Sequence, residues 1–193
     1  MQEDYTTEVK SKSKALASLY ESLESIVFAI VLVLFLFTFV AKLSIVEGTS
    51  MVPTLHDRDY LIVSNTFFSY EPEQGDVVVI QSEKHEGALV KRVIATGGQQ
   101  VHISYNAPFD GSFKIYVDGE IYEDVHANFD GPLYLIPDFY EYKTTVPEGE
   151  VFVLGDNRNV SLDSRSLGTF KESEILGKVV FRLLPFQNIG AIK

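Results

Sequence analysis

Ser50 lies in a sequence context that is suited to nucleophilic chemistry. It belongs to the segment VEGTSMVPTLHDRD (residues 46–59), between Gly48 and Pro53, and it follows the short apolar run LSIV. A turn of this kind can expose a hydroxyl group and leave the serine N–H free to receive an anion. Serine is also common in turns for purely structural reasons. A serine nucleophile needs a general base, so the rest of the sequence must supply one if Ser50 is catalytic.

Lys91 is the best candidate for that base, because no histidine has a local context that indicates a Ser–His pair. In GALVKRVIATG (residues 87–97) the two-residue period of a strand places Leu89, Lys91 and Val93 on one face. A lysine with an ordinary pKa near 10.4 is neutral in only about one molecule in a thousand at pH 7.5. Burial among apolar neighbours lowers that pKa, at a cost of about 3–4 kcal/mol for two to three units. A lysine that guards a sheet edge against aggregation would have the same pattern, so both interpretations stay open.

A polar segment further along the chain can orient the base. LGDNRNVSLDSRSLG (residues 154–168) combines hydroxyl groups, carboxylates and arginines in a turn-rich stretch after the strand-like EVFV. Ser161 is placed to hydrogen-bond the lysine amine and direct it toward the serine hydroxyl. Asp163 and Arg165, two positions apart, can pair with each other or with neighbouring polar groups. An ordinary solvated polar loop would have a similar composition.

The longest apolar run predicts a membrane anchor. IVFAIVLVLFLFTFVA (residues 26–41) contains one polar residue, and at about 1.5 Å per residue it covers about 24 Å of a hydrocarbon core about 30 Å thick. Leu43 can extend the span with its apolar side chain, and Lys42 can extend it by snorkelling. A cleaved signal peptide is the alternative, but a cut after Ala41 would put the bulky Phe39 where a small residue is needed. We therefore predict a retained single-pass helix over residues 26–43.

This anchor divides the chain into three parts. Residues 1–25 form a short N-terminal segment, and its lysines at positions 10 to 14 favour a cytoplasmic location under the positive-inside rule. Residues 26–43 cross the membrane once. Residues 44–193 form one extracytoplasmic domain, which is large enough to bury a core without disulfides.

The pattern beyond residue 44 is strand-like and predicts an all-β domain. Short β-branched and aromatic runs such as GDVVVIQ, ALVKRVIA and EVFVLG alternate with turn residues. VDGE (residues 117–120) is a strong hairpin signal, and no βαβ rhythm or internal repeat is present. A mostly antiparallel barrel or sandwich follows. Residues 107–147, rich in Tyr, Phe, Asp and Gly, form a predicted loop-and-hairpin insertion whose role the pattern does not indicate.

The composition disfavours several classes of function. A formal net charge of −11 argues against a nucleic-acid partner, because phosphate binding needs clustered lysine and arginine. The absence of cysteine excludes disulfides, thiolate metal sites and a cysteine nucleophile. The four histidines do not have the spacing of metal ligands. We expect neither a metal nor a cofactor.

Taken together, these segments resemble the type I signal peptidases, the membrane-bound serine proteases that remove secretory signal peptides. The resemblance is to the Gram-positive type with a single anchor. It covers nearly the whole chain except the insertion. The matching motifs, which follow the anchor in the family's order, are GTSMVPTL (residues 48–55), GDVVVI (75–80), LVKRVI (89–94) and GDNRNVSLDSRSLG (155–168).

The resemblance implies a role for each candidate residue. Ser50 is the nucleophile and Lys91 the general base of a Ser–Lys dyad, Ser161 orients the lysine, and Asp163 and Arg165 brace the site. The implied reaction is hydrolysis of a peptide bond after a small residue, as in Ala-x-Ala, through an acyl-enzyme. The implied partners are secretory preproteins and the lipid bilayer, with the catalytic β domain outside the membrane.

The substrate site and the biological role are less well defined by these motifs. LSIVEG can offer a strand edge to an extended substrate, with small pockets expected near Val46, Met51 and Val90. Gly48 stands where some family members have a hydroxyl residue, and Val160 stands where many have asparagine. A specialised paralogue, or a non-enzymatic tethered β domain that assists pilus or surface-protein assembly, is the alternative.

Overall fold

A computed structural model of the chain consists of two compact units, Met1–Ala41 and Lys42–Lys193. The backbone is described for residues 2–39, 41–64, 70–106, 112–128 and 139–192.

The first unit is a single helix, α1 (Gln2–Phe39), of 38 residues. It contains neither glycine nor proline, so nothing in its sequence interrupts the backbone hydrogen bonds. Its segment Ser18–Phe35 has a mean hydropathy of 1.9 and is long and apolar enough to cross a membrane. The helix starts well before the predicted span of residues 26–43, and the chain is already in a strand at residue 41.

The second unit is built from short strands and very short helices. α2 (Ser164–Leu167) is one helical turn, and two 3-10 turns lie near the carboxyl end. In chain order the strands are β1 (Ala41–Ile45), β2 (Tyr60–Ser64), β3 (Val77–Gln81), β4 (Ala88–Thr96), β5 (Gln100–Asn106), β6 (Ser112–Val117), β7 (Glu120–Ile121), β8 (Phe139–Thr145), β9 (Glu150–Leu154), β10 (Phe170–Lys171), β11 (Ile175–Leu184) and β12 (Gly190–Ala191).

These strands form two sheets. The larger has the order β1-β2-β11-β3-β4-β9-β10, with β12 added to β11, and the smaller has the order β7-β6-β5-β8. β3, β4, β9 and β11 pair with their neighbours in antiparallel register, as do β5, β6 and β8. The predicted class, a mostly antiparallel all-β domain with one N-terminal apolar helix, is confirmed.

The predicted insertion contributes most of the smaller sheet. β6 and β7 form the hairpin expected at VDGE, where Asp118 and Gly119 have φ values of 53° and 84°. β8 adds to the other side of β5. Residues 107–111 and 129–138 of the insertion lie outside the described residues.

Two buried clusters fix the strands that matter for function. Phe152 and Leu154 of β9 pack with Ile103 and Ile115, and so attach the smaller sheet to the larger one. A second cluster lies under the segment that follows β1, and consists of Val46, Met51, Leu55, Leu61, Val63, Val77, Val79 and Val179. Each large aliphatic side chain buried in this way contributes about 1.5–3 kcal/mol. The segment that carries Ser50 is therefore anchored in the core on both sides of the serine.

Candidate active site

Ser50 and Lys91 are in direct contact in the second unit. The Lys91 Nζ atom lies 2.8 Å from the Ser50 Oγ atom, and the amine also donates to the Val90 carbonyl at 3.0 Å. Lys91 belongs to β4, which has β3 on one side and β9 on the other. A lysine that guards a sheet edge does not fit this position, because β4 is an interior strand.

Burial changes the acidity of the Lys91 amine. Only 2% of the residue is exposed, and the loss of water lowers its pKa from 10.5 to about 8. The Asp163 and Asp156 carboxylates oppose this lowering of the Lys91 pKa, whereas the Arg165 guanidinium adds to it. An amine with such a pKa is neutral in a large fraction of molecules at mildly alkaline pH, and can then accept a proton.

The turn around Ser50 has a defined conformation. Met51 and Leu55 are buried directly after the serine, and the Leu55 N–H donates to the Met51 carbonyl at 2.9 Å. Gly48 precedes it with a φ of 86°, a conformation that favours glycine, and its N–H donates to the Asp57 carboxylate at 2.8 Å. The Ser50 N–H has no acceptor among the described residues, so it is available to an incoming oxyanion.

The β9–α2 loop (residues 155–163) contacts this turn. The Asn157 N–H donates to the Ser50 carbonyl at 2.9 Å. Gly155 comes so close that an added Cβ would lie 2.5 Å from the same carbonyl oxygen and would overlap the Ser161 hydroxyl. Only glycine fits at position 155 without a shift of the backbone, and the loop thereby determines where Ser50 lies.

Ser161 is buried in the β9–α2 loop, against Gly155. Its N–H donates to the Asn157 carbonyl at 3.1 Å, whereas its Oγ atom has no hydrogen-bond partner among the described residues. The expected hydrogen bond between Ser161 and Lys91 is thus not formed in this arrangement. The hydroxyl is nevertheless enclosed, and an unsatisfied buried hydroxyl costs about 1–3 kcal/mol.

Asp163 and Arg165 form the expected pair. Arg165 Nε lies 2.8 Å from Asp163 Oδ1, Arg165 Nη2 lies 2.8 Å from Asp163 Oδ2, and both side chains are almost fully buried. Asp163 also accepts the Gly155 N–H at 3.1 Å and the Arg165 N–H at 3.3 Å, which caps α2. One carboxylate therefore joins the two ends of the β9–α2 loop.

A second buried ion pair was not identified from the sequence. Arg92 Nε and Nη2 lie 2.9 and 2.8 Å from the two Asp156 oxygens, and both side chains are fully buried. Thr54, in the turn after Ser50, donates its hydroxyl to Asp156 at 2.5 Å. The pair connects β4, the Ser50 turn and the β9–α2 loop. The available signal was an arginine within the apolar run LVKRVI, since a charge on a buried strand needs a partner.

Comparison with known proteins identifies the family of this chain. A family model described as signal peptidase, peptidase S26, matches residues 19–184. The chain belongs to this family. Signal peptidase I of Bacillus licheniformis is 35% identical over 191 residues, which cover 95% of this chain and 97% of that protein. A probable signal peptidase I-1 of Synechocystis sp. is 33% identical over 181 residues, covering 89% and 86%. A crystal structure of a signal peptidase I from Enterococcus faecalis V583 is 24% identical, with a TM-score of 0.44 over 57% of this chain and 98% of that chain.

Membership of the signal peptidase family confirms the resemblance that the motifs indicated. The chain is accordingly a peptidase, a hydrolase of peptide bonds. A non-enzymatic role for the tethered domain is not favoured. The apolar helix α1 is consistent with membrane anchoring of this peptidase.

A cavity of about 560 Å³ opens beside the serine and the lysine of this peptidase. Residues 44–50 form one wall and residues 85–91 form a second wall. Val160 and Leu162 of the β9–α2 loop form a third, apolar wall, and both are partly exposed. An extended peptide that entered between the first two walls would reach the Ser50 hydroxyl.

The predicted substrate residues differ in their placement. Val46 and Val90 line this cavity. Met51 is not among the lining residues. It is buried in the core cluster that also contains Val46, and so it packs behind the cavity wall. His85 of the β3–β4 connection also lines the cavity, and no motif in the sequence pointed to it.

Proposed function

We propose that this chain is a membrane-anchored serine endopeptidase that removes signal peptides from secretory preproteins, with Ser50 as nucleophile and Lys91 as general base. One observation carries the proposal: a buried lysine amine lies 2.8 Å from a serine hydroxyl. Its pKa of about 8 suits a base that works near neutral pH. The relatives named as signal peptidases supply the substrate class.

The acylation step uses the neutral lysine. Lys91 Nζ removes the hydroxyl proton while Ser50 Oγ attacks the carbonyl carbon of the scissile bond. The Ser50 N–H stabilises the oxyanion of the tetrahedral intermediate. The intermediate collapses, the carbon–nitrogen bond breaks, and the Lys91 ammonium gives its proton to the amine of the departing mature protein. The signal peptide is left as an ester on Ser50.

The deacylation step repeats this proton transfer with water. Neutral Lys91 takes a proton from a water molecule as the water oxygen attacks the ester carbonyl. The second tetrahedral intermediate breaks its bond to Ser50 Oγ, and the lysine returns the proton to that oxygen. The products are the free carboxyl end of the signal peptide and regenerated enzyme.

Ser161 supports the lysine when it is charged. An ammonium group has three donors, and Ser50 and the Val90 carbonyl are two acceptors within reach of Lys91. The Ser161 hydroxyl, which has no partner among the described residues, is the candidate for the third acceptor after proton transfer.

Asp163 and Arg165 brace the loop and tune the base. Their bidentate pair is nearly fully buried, which limits movement of Ser161 and Gly155. The Arg165 guanidinium also contributes to the lowered pKa of Lys91, and Asp163 limits that effect. The pair therefore fixes the position of the loop and also affects the pKa of Lys91.

The cavity selects small residues in an extended substrate. Val46 and Val90 line it together with Ser50, and Met51 packs in the same core cluster as Val46. Side chains of the size of alanine fit beside such walls, in agreement with cleavage after Ala-x-Ala. Residues 44 and 45 belong to the edge strand β1 and line the cavity, so their backbone groups can pair with the substrate.

The anchor places the reaction at the membrane. Ser50 follows Phe39, the last residue of α1, by 11 positions (50 − 39), so at most about 40 Å of extended chain separates the nucleophile from the helix. Confinement raises the effective concentration of enzyme toward a substrate that emerges from the same membrane. Lys10, Lys12 and Lys14 favour a cytoplasmic N-terminus, which places the β domain outside.

The test compares processing of a secretory preprotein by the full chain in detergent with processing by Ser50→Ala and Lys91→Ala. Loss of each group should reduce cleavage by at least about a thousandfold, the range found when a member of a catalytic unit is removed. Tm values within a few degrees of wild type would show that both variants are folded. Equal processing by wild type and both variants would exclude the dyad.

A further inference from the structure

The inserted region reaches the β9–α2 loop through a buried ion pair. Asp124, which follows the β6–β7 hairpin, pairs through Oδ2 with Arg158 Nη1; their side chains are 13% and 0% exposed. The same guanidinium donates from Nε to the Gly155 carbonyl at 2.8 Å. Arg158 also lies over the Phe113 ring of β6, at 5.8 Å from the ring centroid. One side chain thus connects the smaller sheet with the start of the loop.

Backbone hydrogen bonds reinforce this contact. The Asn128 N–H donates to the Asp156 carbonyl at 2.7 Å, and the Arg158 N–H donates to the Asn128 carbonyl at 3.1 Å. Asn128 and Asn157 form an isolated parallel bridge. Asn128 is therefore held beside the β9–α2 loop by backbone hydrogen bonds on both of its sides.

The part of the loop held in this way is the part that positions the nucleophile. The Asn157 N–H binds the Ser50 carbonyl at 2.9 Å, and Gly155 lies against both Ser50 and Ser161. An outward movement of residues 155–158 would withdraw the hydrogen bond from Ser50. It would also open the space in which Ser161 is enclosed.

We propose that Asp124 is a positioning residue, which holds the β9–α2 loop through Arg158 so that Ser50 and Ser161 keep their arrangement. The effect on catalysis rests on the proposed function, whereas the effect on the loop does not. A buried ion pair seldom adds net stability compared with apolar residues of similar volume. Burial raises the pKa of Asp124, and the Arg158 guanidinium opposes that rise.

The first measurement follows the loop itself. Hydrogen–deuterium exchange is compared for the full chain in detergent, for Asp124→Asn, which preserves the shape of the side chain, and for a control, Asp76→Asn. Asp76 is also a buried carboxylate, which pairs with Lys178 and accepts the Tyr70 hydroxyl, but it does not contact the β9–α2 loop. We expect exchange at residues 155–161 to increase about tenfold or more in Asp124→Asn alone. Unchanged exchange there would overturn the proposal.

The second measurement follows catalysis on a signal-peptide substrate. Asp124→Asn should lower kcat by about ten- to hundredfold, the penalty for a displacement of about 1 Å, while KM changes less than about twofold. Asp76→Asn should lose a similar amount of thermal stability. Its kcat, measured at a temperature well below its Tm, should equal that of the wild type. A wild-type kcat in Asp124→Asn, or an equal loss in both variants, would contradict the positioning role. Activity in Ser50→Ala would refute the proposed function, and the exchange experiment would still decide whether Asp124 holds the loop.

Discussion

The Lys91 amine lies 2.8 Å from the Ser50 hydroxyl although the two residues are 41 positions apart. Ser50 is in a turn clamped between the core and the β9–α2 loop, and Lys91 is on an interior strand of the larger sheet. Because both supports are rigid, the contact exists before any substrate arrives. Such preorganisation is what a general base requires, since no reorganisation then adds to the barrier.

The pH dependence of the reaction should report the lysine. The active form is the neutral amine, so kcat/KM should rise with pH and level off above the Lys91 pKa of about 8. Asp163→Asn should move the profile to lower pH, because this carboxylate raises the pKa of Lys91. Glu141→Gln, an exposed carboxylate on the smaller sheet, serves as the control and should leave the profile unchanged. A rate that climbs steadily toward pH 10.5 would contradict the buried base.

Removal of Lys91 should stabilise the fold while abolishing activity. The folded-state pKa is lower than the unfolded value of 10.5, so the penalty for burying the charge is fully present below about pH 8. It disappears as pH rises toward 10.5, because both states then hold a neutral amine. Lys91→Met should gain up to about 3 kcal/mol at pH 7, from 1.36 kcal/mol per pKa unit. Thermal unfolding at pH 7 and pH 10 measures this, with the exposed Lys143→Met as control, and a lower Tm than wild type at pH 7 would refute it.

A methyl group at position 155 should disturb the site. Gly155→Ala places a Cβ 2.5 Å from the Ser50 carbonyl oxygen and into the Ser161 hydroxyl. We expect a decrease in kcat of about a hundredfold, because a shift of about 1 Å at a reacting group has this effect. Gly190→Ala is the matched control, since a Cβ there meets no atom within 4 Å and its φ is not positive. Steady-state kinetics of the two variants test this prediction. Equal kcat values would show that the β9–α2 loop accommodates the added methyl group.

A wider cavity should relax the preference for small residues. Val90 lines the cavity beside Ser50, and Val90→Ala removes two methyl groups from that wall. A substrate with leucine before the scissile bond should gain about tenfold or more in kcat/KM relative to a substrate with alanine there. This gain agrees with about 1–3 kcal/mol per methylene. Val180→Ala, a partly exposed valine of β11, is the control outside the cavity. An unchanged ratio of kcat/KM values would place the specificity elsewhere.

Local patterns predicted many of the parts of this fold. The apolar run that became α1, the alternation that became β3, β4 and β9, and the Asp118–Gly119 turn were all readable, because each depends on neighbouring residues. The pairing of Asp163 with Arg165 was one of two alternatives that their spacing left open. In contrast, the Arg92–Asp156 pair was missed, since its members are 64 positions apart and meet only after β4 and β9 have paired.

By itself, the amino-acid sequence determined the apolar helix, the strand-rich domain, the serine in a turn and a lysine within an apolar run. Only the tertiary structure decided that this lysine is on an interior strand, that its amine meets the serine, and that the Ser161 hydroxyl has no partner among the described residues. It also decided that the insertion holds the β9–α2 loop through Asp124 and Arg158. The physical reason is that burial, pKa and contact between distant residues depend on which strands pair and in which register, and register is set by the packing of the whole domain.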